Sequence, residues 1–150
     1  MLLAIPASVA ALSLNWPAIT DVTSDLTEPP EYTEAKSVRA ATGGIGVNAV
    51  AYAGARFANQ QIAHYPDLKS LVVPRPPEQA YELVLQALAK QRQHTTFESP
   101  PDPETGSAGF VEYSERTLVL GLTDDVVIRV RPDAAGASRA AARPGRRAHA

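Results

Sequence analysis

A chain of 150 residues is the size of one domain and long enough to bury a sizeable core; its lack of cysteine excludes disulfides, thiolate metal centres and thiol nucleophiles together. The net charge of −2 conceals an asymmetry. All 16 acidic residues lie at or before Asp133 and four of the 14 basic ones, Arg139, Arg143, Arg146 and Arg147, follow it, leaving a body of −6 and a tail of +4. An acidic body repels phosphate backbones and so argues against nucleic acid as a partner.

Met1 to Leu14 is almost wholly apolar. As a helix it would extend about 21 Å, short of the roughly 30 Å hydrocarbon layer, so it cannot span a bilayer unaided. A short buried helix or a piece of a longer hydrophobic segment is the plainer reading, and interfacial membrane contact, helped by Trp16 at the polar boundary, is the other. The basic n-region of a secretory signal is missing, since the first basic residue is Lys36.

From Asp21 to Glu34 the chain is acidic and carries Pro29-Pro30, which predicts an extended, solvated connector. No glycine turn is present there to shape a calcium loop. Residues 43 to 49, Gly-Gly-Ile-Gly-Val-Asn-Ala, match the dinucleotide pattern Gly-x-Gly-x-x-Ala from Gly44, but no apolar strand runs into them, so a flexible loop is expected rather than a pyrophosphate site. Tyr52 to Gln61 reads as a short helical or extended piece. It delivers the chain to Tyr65-Pro66-Asp67-Leu68, where the proline sets a turn before the strand Leu71-Val72-Val73.

The clearest helix follows. Pro76-Pro77 pre-set its first turn, Glu78 suits its N-terminal dipole, Lys90 and Arg92 its C-terminus, and Tyr81, Val84, Leu85 and Leu88 make an i, i+3, i+4, i+7 stripe. That stripe predicts a helix lying on a sheet. His94 to Glu98 alternates as a strand, Ser99 to Gly106 is a proline-rich loop, and Phe110 to Leu122 supplies a long strand or hairpin with Leu118, Leu120 and Leu122 on one side. In Asp124 to Arg131, Val126, Ile128 and Val130 fall on one face and Asp125, Arg129 and Arg131 on the other, which predicts a sheet packed on one side and wet on the other. Helix followed by strands gives the fold class: α+β in two layers, one main helix on a mostly antiparallel sheet. Ala134 to Ala150 shows no apolar stripe and is expected to stay disordered, so the domain is placed at residues 21–133 behind a hydrophobic segment 1–20.

With these pieces in place the chain resembles the bacterial and plastid family known as domain of unknown function 1499. The resemblance rests on Asp21-Val22-Thr23-Ser24-Asp25-Leu26 with Pro29-Pro30, on Tyr65-Pro66-Asp67-Leu68, on the helix from Pro77, and on Gly121 to Val130. It implies an envelope or membrane-linked protein, with Met1 to Leu14 as the remnant of an anchor, and brings no activity. The end departs from the expected pattern, which continues with a further strand and a closing helix. A shifted reading frame after Asp133 would explain the change and would leave Val126, Ile128 and Val130 poorly covered.

Chemistry is sparse. Asp124 and Asp125 are adjacent on a strand and face opposite ways, so they do not form an acid and base pair there, and Asp125 is expected to pair with Arg129 or Arg131. His64 and His94 lack the companion ligands that zinc needs, so no metal or cofactor is implied. The leading reading is a non-catalytic envelope domain that binds a ligand or protein partner on the charged sheet face, through Asp124, Asp125, Arg129 and Arg131, with Tyr65 and Asp67 from the Tyr-Pro-Asp-Leu turn. The alternatives are a hydrolase or isomerase using Asp124 or Asp125 with His64, and a basic tail, Arg139 to Arg147, tethering the chain to anionic lipid.

Overall fold

A computed structural model of the chain describes residues 19–43, 47–116 and 122–147. The expectations for Met1 to Leu14, Trp16, Gly44, Leu118 and Leu120 lie outside these residues. In chain order the elements are α1 (Glu34–Thr42), α2 (Ala55–His64), β1 (Leu71–Val73), α3 (Pro77–Lys90), β2 (Thr95–Ser99), β3 (Gly109–Arg116), β4 (Thr123–Pro132), a 3-10 turn (Ala134–Gly136) and β5 (Ser138–Arg146). The strands form one antiparallel sheet in the order β1-β5-β4-β3-β2.

The expected two-layer α+β arrangement is what the chain adopts. Pro77 stands in the first turn of α3, Glu78 follows it, and Lys90 occupies the last turn, as the two ends of the helix dipole favour. Ala80, Tyr81 and Leu88 are buried against Val111 of β3 and Val130 of β4, with Val84, Leu85, Ile128 and Ala140 packed around them. Val111 and Val130 are fully covered, each contributing about 1.5–3 kcal/mol of burial energy.

The other sheet face is not wet. Asp125, Val127 and Arg129 share it, as alternation demands, yet all three are buried. Segment Thr20–Ser24 runs as a strap beside β5: Val22 N–H donates to the Pro144 carbonyl (3.2 Å), Ser24 N–H to that of Ala142 (2.9 Å) and Arg146 N–H to that of Thr20 (2.8 Å). Tyr32 and Ala35 then cover Val127 together with Val50 and Phe110. The stretch expected to be a solvated connector is therefore a cover, with Asp21, Thr23, Asp25 and Pro30 buried. Its acids oppose the arginines of the sheet, so burial brings each a partner in place of water.

Two polar side chains fix that cover. Glu112 of β3 accepts hydrogen bonds from the N–H groups of Thr33, Glu34 (3.2 Å) and Ala35 (2.9 Å), placing a carboxylate on the first turn of α1. Gln61 of α2 accepts from Thr23 N–H (2.8 Å) and donates back to the Thr23 carbonyl, so one side-chain amide completes the strap as a neighbouring strand would.

The tail, expected to be disordered from Ala134, instead makes β5, an internal strand paired with β4 from Pro132↔Ser138 to Asp124↔Arg146. Val126 and Val130, which a missing strand would have left open, are buried. Composition misjudged the tail because its stabilisation is not local. Ala140 and Ala142 fall on the α3 side by register with Val130 and Ile128, while Arg143 and Arg147 reach Asp21 and Asp125, 122 and 22 positions away.

Candidate functional site

The charged residues of β4 on this face belong to two ion-pair groups. In the first, Asp125 accepts from Arg39 Nε (2.9 Å), Arg147 Nε (3.1 Å) and the Ser114 hydroxyl (2.8 Å). Burial alone would raise its pKa, but hydrogen bonds from Arg147, Ser114 and Arg39 outweigh that and hold the carboxyl below its usual range. In the second, Arg129 donates to Asp25 (2.9 Å) and to the Glu28 carbonyl (2.7 Å), and Arg131 reaches the carboxylates of Asp25 (3.3 Å) and Glu28. Asp125 thus pairs with Arg39 and Arg147 rather than with Arg129 or Arg131. Arg129 and Arg131 stand about 13 and 20 Å along the strand from Asp125 at about 3.3 Å per residue, while arginines arriving from α1 and the end of β5 meet the carboxylate directly.

The remaining expected residues do not join these groups. Asp124 pairs across the sheet with Arg146 (2.9 Å). Tyr65 lines a separate groove with Leu26, Ile62 and Leu68, and Asp67 is exposed. His64, also exposed, ends α2 with its Nδ1 2.9 Å from the Gln60 carbonyl. The carboxylates are held by arginines and the imidazole is occupied within its own helix, an arrangement that positions charge and offers no adjacent acid and base.

Arg143 of β5, which the sequence reading placed only in a basic tail meeting anionic lipid, is instead turned inward at the centre of the face. It is 1% exposed; its Nε lies 3.0 Å from both Asp21 oxygens, its Nη2 also meets Asp21, and its guanidinium donates to the carbonyls of Pro30 (3.0 Å) and Val50 (2.7 Å). The same guanidinium lies over the rings of Tyr32 (4.7 Å) and Tyr52 (5.5 Å), and Arg39 stands 5.1 Å from the Tyr32 ring. Burial pushes the Asp21 pKa up, with Arg143 pulling the other way. Burial, and then the charge of Asp21, raise the hydroxyls of Tyr32 and Tyr52, so both stay protonated. The signal available in the sequence was parity: Arg139, Arg143 and Arg147 are evenly spaced, as residues on one strand face must be.

Above this arginine opens a pocket of about 550 Å³. Pro29, Tyr32, Val50, Ala51 and Tyr52 give it apolar and aromatic walls, Arg143 lines it as well, and the exposed Lys36 and Glu31 add one charge of each sign. Tyr32 is held in place by hydrogen bonds from its hydroxyl toward the carbonyls of Arg143 (2.9 Å) and Asp125 (3.1 Å). On the Tyr32 side of the pocket, ring, guanidinium and the Asp21 carboxylate thus fix one another.

A family model described as a protein of unknown function (DUF1499) matches residues 21–148. The chain belongs to this family. The DUF1499 match begins at Asp21, the partner of Arg143, and continues through β5, so the Ala/Arg-rich end that looked like a departure lies inside the family's span. No curated protein and no solved structure matches the chain. Among the described residues, no helix is long and apolar enough to cross a membrane.

Proposed function

We propose that this DUF1499 chain is a non-catalytic binding domain of the cell envelope that seats a small, mostly apolar molecule in the Tyr32–Tyr52 pocket. The supporting observation is the pocket itself: about 550 Å³, walled by two tyrosines, Pro29 and Val50, and standing on a buried arginine whose charge Asp21 already balances. Small-molecule sites have this makeup, an apolar concavity of a few hundred Å³ with a few fixed polar groups. The charged sheet face is itself covered, so Asp125, Arg129 and Arg131 act behind the site: Asp125 holds Arg39 of α1, and Arg129 and Arg131 hold Asp25 and Glu28 just ahead of Pro29. Asp124, Asp125 and His64 lack the mutual contact that a hydrolase or isomerase would need.

The test uses N-phenyl-1-naphthylamine, a neutral probe that fluoresces on leaving water. Its emission should rise on adding the protein, and Ala51→Trp, which fills the pocket from an exposed position, should abolish the rise while circular dichroism stays unchanged. No rise with the wild type, or an equal rise with Ala51→Trp, would sink the proposal. Fractionation of cells, with the chain found in the envelope, tests the location separately.

A further inference from the structure

Large aliphatic side chains facing solvent are concentrated at one place. Among the described residues they are Ile62, Leu68, Leu71, Val72 and Leu83, from 40% to 65% exposed, and the first four fall between residues 62 and 72. Scattered exposed leucines need no explanation, whereas a cluster marks a contact surface.

The cluster lies along one edge of the sheet. The outer side of β5 is covered in two lengths, by the strap Thr20–Ser24 opposite residues 142–146 and by β1 opposite 138–140. The Ser70 hydroxyl donates to the Ser24 carbonyl (3.0 Å) and ties the two lengths together. β1 is the terminal strand of the sheet. Val73 packs into the α3 core, so Leu71 projects to that side and Val72 to the other. Beside them Leu26, Ile62, Tyr65 and Leu68 line a groove of about 270 Å³.

We infer that this edge is a lipid-docking surface, in which Ile62, Leu68, Leu71 and Val72 enter the interfacial layer of an anionic membrane. Three observations choose lipid over protein. Leu71 and Val72 point to opposite sides of a three-residue strand, so a partner strand extending the sheet would leave its neighbours to cover two separate faces, whereas a fluid interface surrounds both. Lys69 and Arg75 flank the strand without an acidic partner among the described residues and, set against the exposed Asp67, leave residues 62–75 with a net charge of +1, which suits anionic headgroups. The apolar run Met1 to Leu14 joins the described chain through Ile19 and Thr20 at the other end of the same edge, opposite Arg146 and about 20 Å along β5 from the Leu71 position. The described chain thus begins on the same edge that carries the exposed aliphatic residues. This inference does not depend on what the pocket holds.

Because the chain has no cysteine, one introduced thiol can be labelled uniquely. The 150-residue chain with Leu71→Cys, carrying a nitrobenzoxadiazole dye, should brighten and shift to the blue on adding phosphatidylcholine vesicles containing about 30% phosphatidylglycerol. Glu104→Cys, in the β2–β3 loop at the opposite edge of the sheet, should not respond. In flotation, the double substitution Leu71→Ser and Val72→Ser should lower the partition constant about tenfold, with near-ultraviolet circular dichroism unchanged. The proposal is overturned if the wild type does not float, if the dye at position 71 stays in water while the chain floats, or if the serine variant floats like the wild type. It is equally overturned if sedimentation shows a dimer that the serine variant dissolves while vesicle binding is unaffected, since the edge then belongs to a second copy.

Discussion

Replacing Arg143 by methionine keeps a long side chain and removes a charge from a site that is 1% exposed. Asp21, 8% exposed, then loses its cation, and the Pro30 and Val50 carbonyls lose a donor. Removing one member of a buried pair costs about 3–5 kcal/mol, because the other charge is left in a poorly solvating interior. For a domain of this size each kcal/mol lowers Tm by about 2–4 °C, so a drop of roughly 6–20 °C is expected. Arg146→Met supplies the contrast. Its pair with Asp124 is 37% and 21% exposed, and such pairs contribute about 0.2–1 kcal/mol. Urea unfolding followed by far-ultraviolet circular dichroism measures both, and adding Asp21→Asn to Arg143→Met should recover part of the loss, with a coupling of about 2 kcal/mol. Acid should also narrow the gap between Arg143→Met and the wild type, since a protonated Asp21 is neutral and needs no cation. If Arg143→Met costs no more than Arg146→Met, the buried pair does not hold the strap and the reasoning fails.

Gly145→Ala and Gly109→Ala should each cost about 1–3 kcal/mol by thermal melting, because the new methyl would stand 2.7 Å from the Tyr32 hydroxyl in the first case and 2.7 Å from the Pro101 ring in the second. Melting temperatures equal to the wild type would show that neither approach is tight. The acid limb of stability separates Asp125 from Asp21. Asp125 has a lowered folded pKa, so its contribution is present above the unfolded value of 3.8 and is lost as pH falls below it; Asp125→Asn should flatten the limb. Asp21 has a raised pKa and takes up its proton more readily when folded, which opposes that loss, so Asp21→Asn should steepen the limb. Stability titrations from pH 7 to pH 3 that show the two slopes changing in the same direction would contradict these assignments.

α3 and β4 were legible because their patterns are local. A proline pair, an acidic first turn and an i, i+3, i+4, i+7 stripe define one helix, and strict alternation from Asp124 to Arg131 defines which side chains share a face. That alternation correctly grouped Asp125, Arg129 and Arg131. It could not say whether their face meets water, since a charged side chain on a strand reads the same whether it is solvated or paired. Arg143 was illegible for the same reason. Its partner Asp21 lies 122 positions away, and the tail's alanines carry no stripe to mark a core.

By itself the sequence determined the α+β class, the helix on the sheet and the parity of each strand, all of which follow from the periods of 3.6 and 2 along a few neighbouring residues. The tertiary structure decided that an arginine-rich tail becomes an internal strand, that an acidic segment becomes its cover, and that a pocket opens between Tyr32 and Tyr52 where the two meet. Those outcomes depend on pairing charges from opposite ends of the chain, and the energy of such a pair exists only once folding has brought both members out of water.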